Sequence, residues 1–412
     1  MKISQVKLSN NLPIYFFEKK DTQAVTVIML AKVGSRYEDN KQAGISHILE
    51  HMFFKGTKKY PHYLDLTKYL DEISAEHNAF TSEEMTAYFI KTSYLNTLPA
   101  VEILSQMLLE NTLNEKELEK EKDVIIQEMK MYLDMPARYI YDLYKKNQYG
   151  DCPLGRDVIG TVKSVKSITT QNLRDYIKKY YTPSNLIFML AGKIDDKEKI
   201  VKTISQYFAK IKDIPVPMPD KFIQSNYKKN IYYHHKKTDQ TNIVISYPGY
   251  KVDYDKRYEL SILQVLMGGM MSSRLFSEVR EKRGLAYRVG AEIDNYSDTG
   301  AFLVSVGLDP SKADSTVKLI KEMMPKAVKI SDKEFKRAKQ KIISNLALKT
   351  EDASSLAFMF LDQIIYHGKT TTPEEKIKIF NNVKKADVEK EAKKLFAHQP
   401  KITIIGPKNI VN

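Results

Sequence analysis

The segment His47-Ile48-Leu49-Glu50-His51 places two imidazoles four residues apart, with a carboxylate next to the second. On a helix, positions i and i+4 lie on one face, so His47 and His51 can offer nitrogens to a single ion. Glu50 stays beside that ion, where a carboxylate can act as a general base. Catalytic zinc takes three protein ligands and keeps a position for water, so the pattern predicts a zinc site with one ligand still missing.

The residues around this segment favour a helix. Apolar side chains at Ile45, Ile48, Leu49 and Met52 surround the polar trio with helical spacing. Ser46 is a residue type that can cap the first turn. A surface helix that happens to carry two histidines is the simpler alternative, and only a third ligand elsewhere in the chain would exclude it.

An acidic stretch at 117–128 supplies two candidates for that ligand. Glu121 and Glu128 lie seven residues apart, which is two helical turns, so both carboxylates share one face of a predicted helix. Leu118, Val124, Ile125 and Met129 indicate that this helix is partly buried. Geometry alone allows either carboxylate to complete the site.

Together these motifs resemble the inverted zinc motif of the pitrilysin, insulin-degrading enzyme and mitochondrial processing peptidase family. The resemblance implies that His47, His51 and Glu128 bind one zinc ion per chain. It further implies that Glu50 is the catalytic base and that Glu121 is an accessory catalytic residue. The blocks 33–38 and 53–57, on either side of the zinc motif, are also similar to the family.

A predicted strand after the zinc motif continues the resemblance. The run Asn78-Ala79-Phe80-Thr81, followed by alternating residues at 86–90, is similar to the edge strand on which family members bind substrate as an added β-strand. The resemblance implies that Asn78, Ala79 and Phe80 bind substrate. His77 is a less usual neighbour and is interpreted as a surface residue.

The second half of the chain carries its own signature at 268–276 and 279–287. Arg280 and Tyr287 match the pair that, in relatives, holds the substrate carbonyl and stabilises the developing oxyanion, a task suited to a fixed cation and a phenol donor. Outside this block, Arg280 would be read as an exposed helix cation and Tyr287 as the start of a buried strand. The glycine-rich stretch lacks the Lys-Ser/Thr ending of a phosphate-binding loop.

The length of 412 residues exceeds what one hydrophobic core usually organises. Prolines at alternate positions predict an extended linker at 213–221, between an N-terminal zinc-binding catalytic domain at 1–212 and a C-terminal domain at 222–412 that carries the Arg/Tyr pair. A helix, strand and glycine at 171–192 recur at 388–406, about 215 residues later, which suits a duplicated domain. The expected fold class is α+β, with two structurally similar halves, each a mainly antiparallel sheet covered by helices on one face.

Composition narrows the location and the partners. One cysteine, Cys152, excludes an internal disulfide, and the chain shows neither a secretory signal nor an apolar run long enough to span a bilayer. We therefore expect a cytoplasmic protein with no membrane partner. The net charge of +14 raises the alternative of a basic nucleic-acid-binding protein. The lysines are dispersed, however, the densest cluster being Lys228-Lys229 and Lys236-Lys237, so no nucleic acid partner is expected.

These features predict a zinc-dependent endopeptidase that hydrolyses short or unfolded peptides inside a chamber. The chain resembles short, two-domain bacterial-type members of the family, which complete a chamber by dimerising. A homodimer is expected, with a heterodimer containing a paralogous chain as the alternative. A non-catalytic member that acts as a structural or substrate-binding subunit is the other alternative. Such relatives usually lose part of the zinc set, whereas here the set is complete.

Overall fold

The computed structural model describes residues 2–223 and 230–408. Lys228-Lys229 of the basic cluster lie outside the described residues. The strands are β1 (Lys2–Lys7), β2 (Pro13–Glu18), β3 (Ala24–Ala31), β4 (Glu76–Thr81), β5 (Thr86–Ser93), β6 (Leu186–Gly192), β7 (Ile231–His235), β8 (Thr241–Pro248), β9 (Ala286–Asn295), β10 (Gly300–Leu308) and β11 (Lys401–Gly406).

The helices follow the same order along the chain. They are α1 (Ile45–Phe53), α2 (Tyr63–Glu72), α3 (Thr97–Leu109), α4 (Glu115–Leu133), α5 (Pro136–Tyr149), α6 (Val162–Ser167), α7 (Thr170–Tyr180), α8 (Lys197–Phe208), α9 (Arg257–Met267), α10 (Ala313–Met323), α11 (Asp332–Lys349), α12 (Ala353–Asp362), α13 (Pro373–Asn382) and α14 (Lys385–Leu395). Among the described residues, none of these helices is both long and apolar enough to cross a bilayer.

The chain packs into two compact units. The N-terminal unit comprises Met1–Lys130, Arg156–Asp220 and Lys349–Ile365, and the C-terminal unit comprises Met131–Gly155, Lys221–Leu348 and Tyr366–Asn412. The proline-rich stretch at 213–221 has no regular secondary structure. The domain boundaries expected at 1–212 and 222–412 stay a prediction, because packing units and sequence domains need not coincide.

The sheet of the N-terminal unit has the order β1-β2-β6-β3-β5-β4. Neighbouring strands are antiparallel except β2 and β6, which are parallel. Its central strands β3 and β6 are buried along nearly their whole length, which explains their continuous apolar sequences. Strand β4 lies at the edge of the sheet, where the sequence predicted an edge strand.

The sheet of the C-terminal unit has the order β7-β11-β8-β10-β9, and only β7 and β11 run parallel. This order reproduces that of the first sheet without β1, since β2, β6, β3, β5 and β4 correspond to β7, β11, β8, β10 and β9. The predicted α+β class with two similar, mainly antiparallel halves is therefore confirmed.

Each sheet also has a helix on its second face, whereas the sequence predicted helices on one face only. Helix α12 packs against β3 and β6 of the N-terminal sheet, and the Phe360 ring stacks on Phe17 at a centroid distance of 4.0 Å. Helix α5 packs against β8 and β11 of the C-terminal sheet, where Ile140 and Val244 share a buried cluster. Each of these helices comes from the other half of the sequence.

A bidentate ion pair between Arg274 and Glu334 stabilises the C-terminal unit. The Arg274 guanidinium donates from Nε to Glu334 Oε1 at 2.8 Å and from Nη2 to Oε2 at 3.0 Å. It also donates to the carbonyls of Lys326 and Lys329, which lie between α10 and α11. Hydrogen bonding from Arg274 lowers the pKa of Glu334 to about 2, against the opposing effect of burial. Arg274 of the 268–276 signature is thus a structural residue of this unit.

We expect Arg274→Met to lower the free energy of unfolding by about 1.5–3 kcal/mol at pH 7, the usual range for a hydrogen bond to a charged group. A carboxyl with a depressed folded pKa contributes stability above its usual pKa and loses that contribution as it becomes protonated. The deficit of the variant should therefore shrink as the pH falls from 4.5 towards 2. Urea unfolding at stepped pH measures it, with Arg337→Met, an exposed arginine of α11, as the control. A deficit that does not change with pH would contradict this assignment.

Candidate active site

Helix α1 begins at Ile45, so Ser46, the possible cap suggested by the sequence, lies inside its first turn. Glu38 Oε2 accepts a hydrogen bond from the Gly44 N–H at 2.7 Å, and its Oε1 accepts one from the Ser46 N–H at 2.9 Å. Ser46 is not the cap, because its hydroxyl lies 2.7 Å from that of Tyr176. Burial raises the pKa of Glu38 to about 7, although hydrogen bonds from Ser46 and Gly44 and the nearby Arg156 oppose the shift.

Three side chains of the N-terminal unit converge as metal donors. Nε2 of His47 and Nε2 of His51 lie 3.8 and 3.7 Å from Glu128 Oε2, and one donor atom from each of the three side chains lies within 4.8 Å of the others. Donors about 2.1 Å from a tetrahedral zinc ion lie about 3.4 Å apart. The two distances to Glu128 exceed that spacing by a few tenths of an ångström, and two imidazoles with one carboxylate are a zinc donor set, so the residues fit the ion.

The protonation state of His47 suits a metal ligand. Burial, together with the neighbouring His51, lowers the pKa of His47 to about 3, so its imidazole is neutral at physiological pH. A neutral imidazole keeps a lone pair for a metal. In the described part of the chain, His47 Nδ1 is buried without a hydrogen-bond partner.

Glu121 lies behind His51 and not among the three converging donors. Its Oε2 is 3.0 Å from His51 Nδ1, and its Oε1 is 2.6 Å from Lys55 Nζ. Burial acts to raise the pKa of Glu121, but the contacts with His51 and Lys55 outweigh it and leave the pKa below the usual value. An ionised carboxylate on the second ring nitrogen orients a ligating histidine, and this is the geometric role open to Glu121.

Glu50 lies beside the donors and touches the substrate strand predicted from the sequence. Thr81 Oγ1, at the end of β4, donates to Glu50 Oε2 at 2.5 Å. Burial raises the pKa of Glu50, while the Thr81 hydrogen bond and His51 act in the opposite direction. A carboxylate with a raised pKa is a stronger proton acceptor, as a general base requires.

The three predicted substrate-binding residues lie on β4 in different environments. Alternation along the strand turns Thr81 towards α1 and Phe80 towards the opposite face of the sheet. The Phe80 ring accordingly lies 6.1 Å from that of Phe358 in α12, so any contact it makes on the α1 side is through its main chain. Asn78 is exposed, and its Oδ1 accepts a hydrogen bond from the Ala79 N–H at 2.8 Å.

Arg280 and Tyr287 both lie on the surface of the C-terminal unit. Arg280 lies in the last turn of a short π-helical segment, Phe276–Glu281; its side chain is 45% exposed, and its guanidinium lies over the Phe276 ring at 4.8 Å. Tyr287 is the second residue of β9 and is 46% exposed, so it does not begin a fully buried strand. A Cβ at Gly307 would lie 2.6 Å from the Tyr287 hydroxyl, so a larger residue at position 307 would displace the Tyr287 ring.

Three residues around the site carried no functional prediction: Glu38, Lys55 and Thr81. Glu38 caps α1 from a loop six residues before Gly44, a spacing outside the usual capping box. Lys55 lies two residues beyond the end of α1 and reaches Glu121 on α4, a pair with no fixed spacing in the sequence. Only for Thr81 did the sequence hold a signal, because period-two alternation in a strand turns Ala79 and Thr81 to the same face.

Comparison with known proteins adds independent evidence. Residues 15–162 match the family described as insulinase, peptidase family M16, and residues 167–342 match the peptidase M16 inactive domain. An uncharacterized zinc protease of Rickettsia felis is 32% identical over 406 residues, covering 98% of this chain and 97% of the relative. The uncharacterized zinc protease YmxG of Bacillus subtilis is also 32% identical, over 409 residues that cover 98% of each chain.

Solved structures share the fold. A protease from Helicobacter pylori superposes with a TM-score of 0.89 at 24% identity, covering 98% of this chain and 99% of the other. A peptidase M16 inactive domain from Pseudomonas fluorescens gives 0.90 at 17% identity, with coverage of 100% and 99%. A chain of complex III2 from Candida albicans gives 0.85 at 17% identity, with coverage of 98% and 96%. With the two M16 matches and full-length relatives at 32% identity, this chain belongs to peptidase family M16.

Proposed function

We propose that this protein is a zinc-dependent endopeptidase that hydrolyses short or unfolded peptides. The observation that carries the proposal is the convergence of His47, His51 and Glu128, with Glu50 beside them and the edge strand β4 adjacent. The relatives named zinc proteases support the same class of activity.

The proposed chemistry divides between the ion and the chain. Bound zinc would supply a Lewis acid that activates water and polarises the scissile carbonyl. Glu50 accepts a proton from the attacking water and later delivers it to the leaving nitrogen. Glu121 orients His51 through its ring nitrogen. The proposed role of Arg280 and Tyr287 is to stabilise the oxyanion, as their surface exposure and donor chemistry allow.

The proposed substrate is a peptide in extended form. A strand at the edge of a sheet leaves main-chain donors and acceptors available for a further strand. In this mode Asn78, Ala79 and Phe80 bind the peptide through their main chain, next to the metal donors. Main-chain recognition accepts many sequences but requires an unfolded segment, which explains the proposed preference for short or unfolded peptides.

A homodimer that encloses the substrate in a chamber, with a paralogous partner as the alternative, is a part of the proposal that rests on the family resemblance. The proposed cytoplasmic location rests on composition, in particular the single cysteine. A non-catalytic role is disfavoured because all three metal donors and the carboxylate of Glu50 are present. The peptidase M16 inactive domain match covers 167–342, which contains none of these four residues.

A quenched fluorescent peptide assay tests the proposed function. We expect the purified protein to cleave an unstructured peptide, to lose this activity to background with a zinc chelator, and to regain it when zinc is restored. Mass spectrometry of the products should show internal cleavage, which separates an endopeptidase from an exopeptidase. Cleavage that persists unchanged after complete zinc removal, or no cleavage of any unstructured peptide by the zinc-loaded protein, would refute the proposal.

A further inference from the structure

The general base proposed above has a specific partner. Thr81 Oγ1 donates to Glu50 Oε2 at 2.5 Å, a contact between the end of β4 and the middle of α1. The other oxygen, Oε1, makes no hydrogen bond with any residue in 2–223 or 230–408. The two oxygens of Glu50 are therefore in different environments.

Thr81 is itself held in a fixed place. The turn that follows it is closed by a hydrogen bond from the Ser82 N–H to the Met85 carbonyl at 2.8 Å. The Ser35 N–H donates to the Ser82 carbonyl at 3.1 Å, so a second loop, 34–38, is hydrogen-bonded to the same turn. A Cβ at Gly34 would lie 2.1 Å from the Ser82 oxygen, so this close approach requires glycine.

A buried ion pair secures the same contact between the loop and the turn. Arg36 Nη1 lies 2.7 Å from Glu84 Oε1, and the two side chains are 2% and 4% exposed. The Arg36 N–H also donates to the Glu83 carbonyl at 2.9 Å. Separating the Arg36–Glu84 pair would leave two buried charges without solvation, so the loop and the turn resist being pulled apart.

The loop that is hydrogen-bonded to the turn also caps α1, the helix that carries Glu50. It ends at Glu38, whose carboxylate accepts the N–H groups of Gly44 and Ser46 at the start of α1. One short loop, 34–38, therefore fixes the strand that presents Thr81 and the helix that presents Glu50. The hydrogen bond between these side chains joins two elements whose separation is already set.

From these contacts we propose that Thr81 is a positioning residue of the peptidase reaction, an inference that rests on the proposed function. Its hydroxyl holds Oε2, so Oε1 is the oxygen that accepts the proton of the attacking water. The water O–H bond breaks, its electron pair remains on oxygen, and that oxygen forms the bond to the carbonyl carbon. The proton passes from Oε1 to the amide nitrogen as the C–N bond breaks, while Thr81 keeps its own proton.

Thr81 also belongs to the proposed substrate strand, so a purely structural role must be distinguished. If the hydroxyl served only to shape β4, its loss would weaken peptide binding and raise KM. If it orients Glu50, its loss should lower kcat and leave KM unchanged, because the interaction matters only when the proton moves.

The test compares Thr81→Val, which removes the hydroxyl at nearly constant shape, with Thr81→Ser, which keeps it. We expect Thr81→Val to lower kcat by about 10–100-fold, as losses of supporting hydrogen bonds around metal sites do, with KM and zinc stoichiometry unchanged. Thr81→Ser should restore most of kcat. Thr26→Val, the same change on the opposite face of the sheet where the hydroxyl pairs with Ser354, should keep kcat near the wild-type value.

A readout that does not depend on activity comes from crystal structures of the zinc-loaded variants. The Glu50 carboxylate should leave its wild-type orientation in Thr81→Val and keep it in Thr81→Ser. An unchanged kcat, a change confined to KM, or an unchanged Glu50 orientation in Thr81→Val would each overturn the inference. Failure of the proposed function would look different, because the wild-type protein would then lack zinc-dependent cleavage while the Glu50 orientation could still be compared.

Discussion

Glu50→Gln should retain stoichiometric zinc and lose nearly all peptidase activity. The amide keeps the shape of the side chain and can still accept the Thr81 hydrogen bond, but it cannot take a proton from water. Loss of a general base costs about 10²–10⁴-fold in rate, so kcat should fall by that amount with little change in KM. Steady-state kinetics with a quenched peptide, together with metal analysis of the same preparation, measures both quantities.

The matched control is Glu117→Gln on α4. This acid is paired with Lys120 on an exposed helix face, so the same change of charge there should leave kcat and zinc content unaltered. Full activity in Glu50→Gln would remove Glu50 from the reaction. Low activity accompanied by loss of zinc would mean that Glu50 supports the metal donors instead of acting as the base.

His51→Ala should empty the metal site without unfolding the N-terminal unit. The substitution removes one of three donors and also leaves Glu121 without its contact to a ligating ring. Loss of a supporting hydrogen bond alone weakens metal binding by about 10–100-fold, so loss of the donor itself should exceed that range. Zinc per chain, measured after dialysis against a weak chelator, should fall to background, and the activity should fall with it.

His77→Ala provides the control for the loss of an imidazole. His77 lies on β4, packs near Phe54 at a ring distance of 5.9 Å, and is not one of the three converging donors. Its variant should keep full zinc. Zinc-free His51→Ala should still unfold in one cooperative thermal transition, slightly below that of the zinc-free wild type because the contact with Glu121 is lost. Stoichiometric zinc in purified His51→Ala would exclude His51 as a ligand.

Local periodicity accounts for the parts of the site that the sequence predicts. The spacing of His47, Glu50 and His51 on α1 follows from 3.6 residues per turn, and the same rule puts Glu121 and Glu128 on one face of α4. Helical spacing does not show which of those two carboxylates is the third metal ligand. They are about 10 Å apart along the helix, so one ion cannot reach both, and only the packing of α4 against α1 decides which carboxylate faces both imidazoles.

Contacts between distant segments could not be predicted in the same way. Glu38 caps α1 from a loop, and Thr81 reaches Glu50 from a strand, so neither pair has a fixed spacing in the chain. Phe80 illustrates the same point, since alternation predicts that it faces away from Thr81 but not that Phe358 covers it. The sequence predicted that the two halves are similar, but not the order of their strands. It did not predict the helices on the second faces of the sheets.

The positions of α5 and α12 in the chain have a consequence for dividing the gene. A product ending at residue 220 would lack α12, and the apolar side chains of Ile28, Leu30, Ile187 and Met189, which line a space together with Leu361, would lose that cover. The complementary product would lack α5, which packs on β8 and β11. Fission at the linker would therefore yield two incomplete proteins. A gene for either half alone would therefore encode a sheet that lacks one of its covering helices.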